Sequence, residues 1–221
     1  MTTLTLKVNT VNRRHMNPTA APPRPTFHHG DLTNALLSEA HRLLREHGVQ
    51  GFSLREAARG VGVSPNAAYR HFADKSALLA ALARRGFAQM AAAMEVALEG
   101  APDTVGRLKA TGQGYLAFAA QEPALFELMF GPFGAGGPRD VTGVGPTSGL
   151  SPAELLSHAL DELVSSELVS TERRAHAELL FWPAIHGLAV LSAAGMWEEH
   201  GEAAAFDEMF ALLLAALGLS R

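Results

Sequence analysis

The sequence predicts an all-α chain: an N-terminal three-helix helix-turn-helix head followed by a helical body, about nine helices in all. Apolar residues recur at three- and four-residue spacing through most of the chain beyond residue 30, which is the period of an amphipathic helix. Capping residues and glycines divide that pattern into helix-sized pieces. The alternation at Leu4, Leu6 and Val8 is too short to make a strand.

Residues 1–26 hold Pro18, Pro22, Pro23 and Pro25 among polar residues and are expected to form a disordered arm. Arg13, Arg14 and Arg24 in this arm are candidates for phosphate or minor-groove contact. The first helix is expected from about Asp31, as N-cap, to Glu46. Leu32, Ala35, Leu36, Ala40, Leu43 and Leu44 form its stripe, and Gly48 ends it. His28 and His29 are adjacent but lack the further fixed ligands that a zinc site requires, so no metal is expected.

Residues 52–75 read as two short helices about a tight turn, with another helix starting directly after. Ser53, Ser64 and Asp74 stand at three N-cap positions, where a side-chain oxygen accepts from a free backbone N–H. Gly62, between Val61 and Val63, supplies the reversal, because glycine enters the left-handed region without a steric penalty. Leu54, Ala57, Ala58, Val61, Val63, Ala68 and Phe72 are the apolar set of a small core. The remaining face carries Arg55, Arg59, Pro65, Asn66, Ala67, Tyr69, Arg70, His71 and Lys75 and has no carboxylate. Such a face suits a polyanion.

The recognition helix is expected over Pro65 to Phe72, capped by Ser64. In this geometry Arg55 reads guanine, Asn66 pairs with adenine and Ala67 packs on a thymine methyl. Tyr69, His71 and Lys75 are assigned to phosphate or sugar, and Arg70 suits either role. Residues 1–90 carry 12 Lys and Arg against 5 Asp and Glu, net +7, whereas the remainder carries 6 against 17, net −11. A basic head on an acidic body steers the head toward nucleic acid.

The segment Tyr69-Arg-His-Phe-Ala-Asp-Lys75 with the following Ser-Ala-Leu-Leu resembles the signature of TetR/AcrR-type transcriptional regulators. The likeness extends to His28-His-Gly-Asp-Leu32 and to His47-Gly-Val-Gln-Gly-Phe-Ser53. Phe181-Trp-Pro-Ala-Ile-His-Gly187 resembles the Trp-His-Gly element of one C-terminal ligand-domain subgroup. The chain departs from the pattern at Asn66-Ala67-Ala68, where most relatives have a Gly-Thr-Leu-like run. The resemblance implies a cytoplasmic homodimeric repressor, bound to a palindromic operator in double-stranded DNA and released by a small-molecule effector.

The head spans 27–75 and the body 76–221. A helix that begins after Asp74 and runs toward Leu98 joins them through Leu78, Leu79, Leu82, Phe87 and Met90. The body opens near Pro102 with a helix carrying Val105, Leu108, Tyr115, Leu116 and Phe118, then restarts over Glu122 to Phe130. Gly112 and Gly114 weaken that helix by roughly 1 kcal/mol each, and are candidates for making room for a neighbour. Residues 131–151, rich in glycine and proline, are expected to be a flexible loop. Three more helices follow: Pro152 to about Leu168, Thr171 to about His200, and Glu202 to about Leu217. The last carries a broad stripe of Ala203, Phe206, Phe210, Leu213, Leu214 and Leu217, which suits either the monomer core or a four-helix dimer interface.

Tyr115, Phe118, Phe126, Met129, Phe130, Trp182 and His186 form the candidate ligand-binding set, because ligand sites are mainly apolar with a few placed polar groups. His186 suits a ligand contact or a satisfied core histidine equally. Pro183, three residues before it, removes a helix hydrogen bond. The chain has no cysteine, which excludes disulfides, thiol catalysis and cysteine-ligated zinc. No cofactor is expected, and no run of eighteen apolar residues suggests a membrane span. The alternatives are a regulator without a small ligand, or an enzyme using His176, Glu178 or His186. The enzyme reading has only residue type in its favour, with no nucleophile elbow, phosphate loop or zinc-binding helix pair.

Overall fold

A computed structural model describes residues 29–134, 144–197 and 201–219. The expected arm and the middle of the 131–151 segment lie outside the described residues. Nine helices and no strand occur among those described: α1 (His29–His47), α2 (Leu54–Gly60), α3 (Pro65–Tyr69), α4 (Lys75–Glu99), α5 (Thr104–Gln121), α6 (Pro123–Phe130), α7 (Pro152–Ser165), α8 (Thr171–Ala193) and α9 (Gly201–Ala216). No described helix is long and apolar enough to cross a membrane.

Local chemistry sets the boundaries. Ser53, Ser64 and Asp74 accept from the N–H groups of Glu56, Ala67 and Ala77, so all three expected caps are made. Gly62 adopts φ 79°, and the Val63 and Gly62 amides return to the Ala58 and Arg59 carbonyls. That pairing closes α2 in a Schellman turn. Four boundaries differ from expectation. α1 begins at His29, so Asp31 lies in its first turn, where its charge favours the helix dipole, and is not the cap. α3 stops at Tyr69, and the His71 and Phe72 amides close its final turn onto the Ala68 carbonyl.

α7 ends at Ser165, three residues early. Glu167 there takes φ 59°, and the Leu168 amide returns to the Leu163 carbonyl. α8 ends at Ala193 and does not reach His200. Gly195 takes φ 73°, and the Met196 and Gly195 amides return to the Leu191 and Ser192 carbonyls. α8 continues through Pro183 as one helix.

One continuous buried cluster runs from Leu32 on α1 to Leu217 after α9. Leu36, Leu44, Leu54, Ala57, Ala58, Ala68 and Phe72 serve the head, with Val61 and Val63 only partly buried. α4 packs on α1, α5, α6 and α7, and so belongs to both head and body. Residues 145–150 make a turn tied to α4, where the Thr147 and Ser148 amides donate to the Glu95 carboxylate at 3.1 and 2.9 Å. Arg107 forks onto Glu162 at 2.7 and 3.2 Å, joining α5 to α7.

The two glycines of α5 make room for protein. A Cβ on Gly114 would lie 2.5 Å from Met94 Cα and 2.8 Å from the Ala93 carbonyl oxygen. One on Gly112 would meet the Phe206 ring at 2.9 Å and Ile185 Cδ1 at 3.0 Å. Replacing a helical glycine by alanine gains about 1 kcal/mol of propensity. Backbone cannot rotate aside, so Gly114→Ala is expected to lose a net of about 1–3 kcal/mol. Gly112→Ala should cost less, because side chains can give way. Urea denaturation of the two variants checks the ranking.

Candidate nucleic-acid interface and ligand cluster

Ser64 Oγ accepts from the Ala67 amide at 3.3 Å, and Pro65 occupies the first turn with φ already suited to a helix. This orients a short recognition element. Arg55, Ser64, Pro65, Asn66, Tyr69 and Arg70 are exposed, with Tyr69 43% exposed. Three of the expected contacts are partly buried. Ala67 is partly buried against the core. His71 is half-buried, its Nδ1 2.8 Å from the Thr33 hydroxyl on α1. Lys75 Nζ stands 4.9 Å from the centroid of Phe52, a cation–π contact that fixes its stem.

Residues 64–71 contain no acidic side chain. The carboxylate of Glu56 is drawn back to the Ser53 hydroxyl at 2.9 Å, which holds it below the usual carboxylate range. The stretch 64–71 can therefore present hydrogen-bonding groups and the Arg70 cation to a phosphate backbone, while the Glu56 carboxylate stays ionised and is partnered by Ser53 and, at 3.8 Å, by Arg59. Thr33, missed from sequence, holds His71 across 38 residues of chain. No local pattern announces that pairing.

In the body, the Tyr115 hydroxyl and His186 Nδ1 meet at 2.8 Å inside a set of rings. Phe126 stacks on the imidazole at 5.4 Å between centroids, Phe130 approaches it edge-on at 4.6 Å, and Trp182 meets Tyr115 at 5.5 Å. Five of the seven expected ligand residues are thus brought together. Met129 instead packs against Gly86 of α4, and Phe118 is buried in the core. Burial pushes the Tyr115 hydroxyl well above the ordinary tyrosine range and pushes His186 down, because a charge here would be poorly solvated.

Beside the rings is a cavity of about 20 Å³ lined by Met94, Thr111, Gly112, Tyr115, Leu156, Phe181, Trp182 and Ile185. That is room for about one water molecule. Of the expected set only Tyr115 and Trp182 line it. Thr111 was signalled only by its place one turn before Tyr115, and its hydroxyl is returned to the Leu108 carbonyl at 2.7 Å. His176 is exposed, and Glu178 accepts from Arg174 at 3.1 Å. Neither lines this cavity.

Residues 36–82 match the profile of bacterial regulatory proteins of the tetR family, and residues 108–217 match that of a tetracyclin repressor-like C-terminal domain. The chain belongs to the TetR family. It is similar to a solved protein of unknown function from Rhodococcus sp. RHA1, with 30% identity and a TM-score of 0.71 over 86% of this chain and 97% of that one. The fatty acid degradation regulator FadR from Bacillus halodurans shares the fold, at 16% identity and a TM-score of 0.64, over 82% of this chain and 94% of that one.

The HTH-type transcriptional repressor AcnR of Corynebacterium diphtheriae is 43% identical over 56 residues, 25% of this chain and 30% of AcnR. AcnR of Corynebacterium glutamicum is 38% identical over 72 residues, 33% and 36% of the two chains. The chain spans only about a third of these curated relatives' length. Both TetR-family matches fall on the two surfaces just described: one includes α3, the other Tyr115 and His186.

In this TetR-family protein, Tyr115→Phe deprives His186 Nδ1 of its partner and is expected to cost about 1–2 kcal/mol in urea denaturation. Burial favours neutral His186, so the folded chain holds that proton less tightly than the unfolded chain. The associated stability is present above the ordinary histidine value of 6.5 and is lost as pH falls below it. Thermal melts between pH 7.5 and 5 should show this decline, and His186→Asn should reduce its slope.

Proposed function

We propose that the chain is a cytoplasmic, homodimeric, sequence-specific repressor that leaves a palindromic operator when a small, largely apolar ligand enters the body. The observation that carries this reading is the exposed, carboxylate-free turn of Asn66, Tyr69 and Arg70 beside Arg55, held by the Ser64 cap within the TetR-family match. The two copies place α3 in successive major grooves. Arg55 and Asn66 read base edges, and Ala67 offers its exposed remainder to a thymine methyl. Tyr69, His71 and Lys75 fix register on the backbone, and Thr33 and Phe52 hold two of those three in place.

Dimerisation on α8 and α9 is supported by apolar side chains left in solvent, among them Leu179 at 75% and Leu212 at 68% exposure, with Leu180, Val190 and Leu191. The core of a stable homodimer interface is apolar. The ligand is assigned to the rings about Tyr115 and His186. No charged side chain lines the adjoining cavity, so the buried part of the ligand is uncharged and carries at most a hydrogen-bonding group for the Tyr115–His186 pair. Trp182 and His186-Gly187 are the residues that resemble the Trp-His-Gly subgroup.

Selection of duplexes from a random pool is expected to enrich a palindrome. With that operator, Arg55→Ala should relax preference at one base position at a cost of ~1–3 kcal/mol, whereas Lys75→Ala should weaken all duplexes about equally and lower the salt slope by about one. A uniform loss for Arg55→Ala would refute its base-reading role. Leu179→Glu with Leu212→Glu should give monomers by sedimentation. A dimer persisting in that variant would place the interface elsewhere.

A further inference from the structure

We propose that His41 and Glu122 are positioning residues that couple the ligand cluster to the DNA-binding head, through α6. This inference rests on the assignment of the ring cluster as the effector site. His41 lies on α1, in the head. Its Nε2 donates to Glu122 Oε2 at 2.9 Å, across 81 residues of chain, with both side chains largely shielded from solvent.

Glu122 occupies the joint between α5 and α6. Its φ of −129° and ψ of 56° break the helical path, its amide still donates to the Phe118 carbonyl, and its carbonyl accepts from the Phe126 amide. A residue in that position ordinarily turns its side chain onto the first amides of the helix it starts. Glu122 makes no such cap. Its carboxylate is committed to the head, and only Pro123, which has no N–H, eases the vacancy at the start of α6.

The other end of α6 reaches the ligand cluster. Phe126 and Phe130 are the rings packed on His186. Between these points Met129 fills the notch left by Gly86, where a Cβ would lie 2.5 Å from its Sδ. An eight-residue helix is therefore tied to α1 at one end, pressed into α4 along its middle, and packed on the Tyr115–His186 pair at its far end. The cavity has room for about a water, so a ligand enters only by displacing its lining, and Tyr115, which lines it, is packed against Phe126 and Phe130 of α6 at 5.7 and 6.4 Å between centroids. Such a displacement pulls on Glu122, and His41 conveys it to α1.

The test uses the full-length protein and a small perturbation of the cluster in place of an unidentified ligand. Phe130→Leu is made in four backgrounds: unaltered, His41→Ala, Glu122→Ala and Glu122→Gln, which keeps an oxygen to accept from His41. Hydrogen exchange of the α1 amides is the first readout. Phe130→Leu is expected to speed it about three- to tenfold in the unaltered background and with Glu122→Gln, and by less than about twofold with His41→Ala or Glu122→Ala. Equal acceleration in all four backgrounds, or none in any while α6 itself responds, overturns the coupling. If Phe130→Leu leaves α6 unchanged, Phe130→Ala replaces it and the same outcomes decide.

Affinity for the selected operator is the second readout, and it separates the two ideas. Exchange that depends on the His41–Glu122 bond, with operator affinity unmoved, sinks the effector-release reading and leaves the coupling standing. Both readouts moving together, and only when the bond is intact, support both.

Discussion

Burial of one continuous face of α4 against α1, α5, α6 and α7 ties the head to the body. Leu78, Leu79, Leu82, Phe87 and Met90 are fully enclosed, and each such side chain contributes about 1.5–3 kcal/mol relative to solvent. At 1.5 Å per residue, a 25-residue helix is a rod of ~37 Å. It begins at the Asp74 cap, directly behind the recognition turn, and ends beyond the ring cluster. Gly114 of α5 lets its backbone approach that of Met94, and Gly86 admits Met129 of α6. No slack joint lies between body and recognition helix, so a change in how α5 or α6 sits must be taken up as a change in head position or as strain.

What the sequence discloses about such a device follows the range of the interactions. Ser53, Ser64, Asp74 and Gly62 act on amides within a few residues of themselves, and their roles are legible from local pattern alone. The overrun of α8 has an equally local remedy: the apolar run continues to Met196 and Trp197, but Gly195 already carries the stop signal. Gly112 and Gly114 are another matter. A glycine in a helix announces a close neighbour without saying which one, and the neighbours here are Phe206, Ile185 and the α4 backbone. The partners of His71 and His41 lie 38 and 81 residues away, and only the fold brings them within reach. The same limit applies to the ring cluster, where spacing along a helix groups Phe126 with Met129 and Phe130, yet Met129 faces α4 and the two rings face His186.

The polar pair within the rings has a cost that explains its form. A lone hydroxyl or imidazole in apolar surroundings forfeits its water hydrogen bonds, at roughly 1–3 kcal/mol on mutational scales. Tyr115 and His186 meet this by satisfying each other, with both groups driven toward their neutral states. Mutual satisfaction also sets a threshold for any ligand. A purely apolar molecule leaves the pair intact and gains only from burial, whereas one bearing a hydrogen-bonding group can exchange partners with it and be discriminated from isosteres that lack that group.

The small size of the cavity turns that chemistry into a question of energy. Sites for small molecules commonly enclose about 300–1,000 Å³, far above the 20 Å³ present beside Tyr115. Opening the site means separating rings whose contacts are worth about 0.5–1.5 kcal/mol a pair beyond their buried area, and that cost is subtracted from ligand affinity. Under the proposed function it is also what would allow a ligand to act. A pocket that stood open equally in the operator-bound and released states would bind its ligand tightly and shift nothing, since only a difference in affinity between states moves their populations. A cluster that is tightly packed in one arrangement and parted in the other supplies such a difference. Phe126 and Phe130 lie on α6, which packs on both α4 and α1, so under the proposed release by a ligand the contacts that resist it are those whose loss would be felt by the helices of the head.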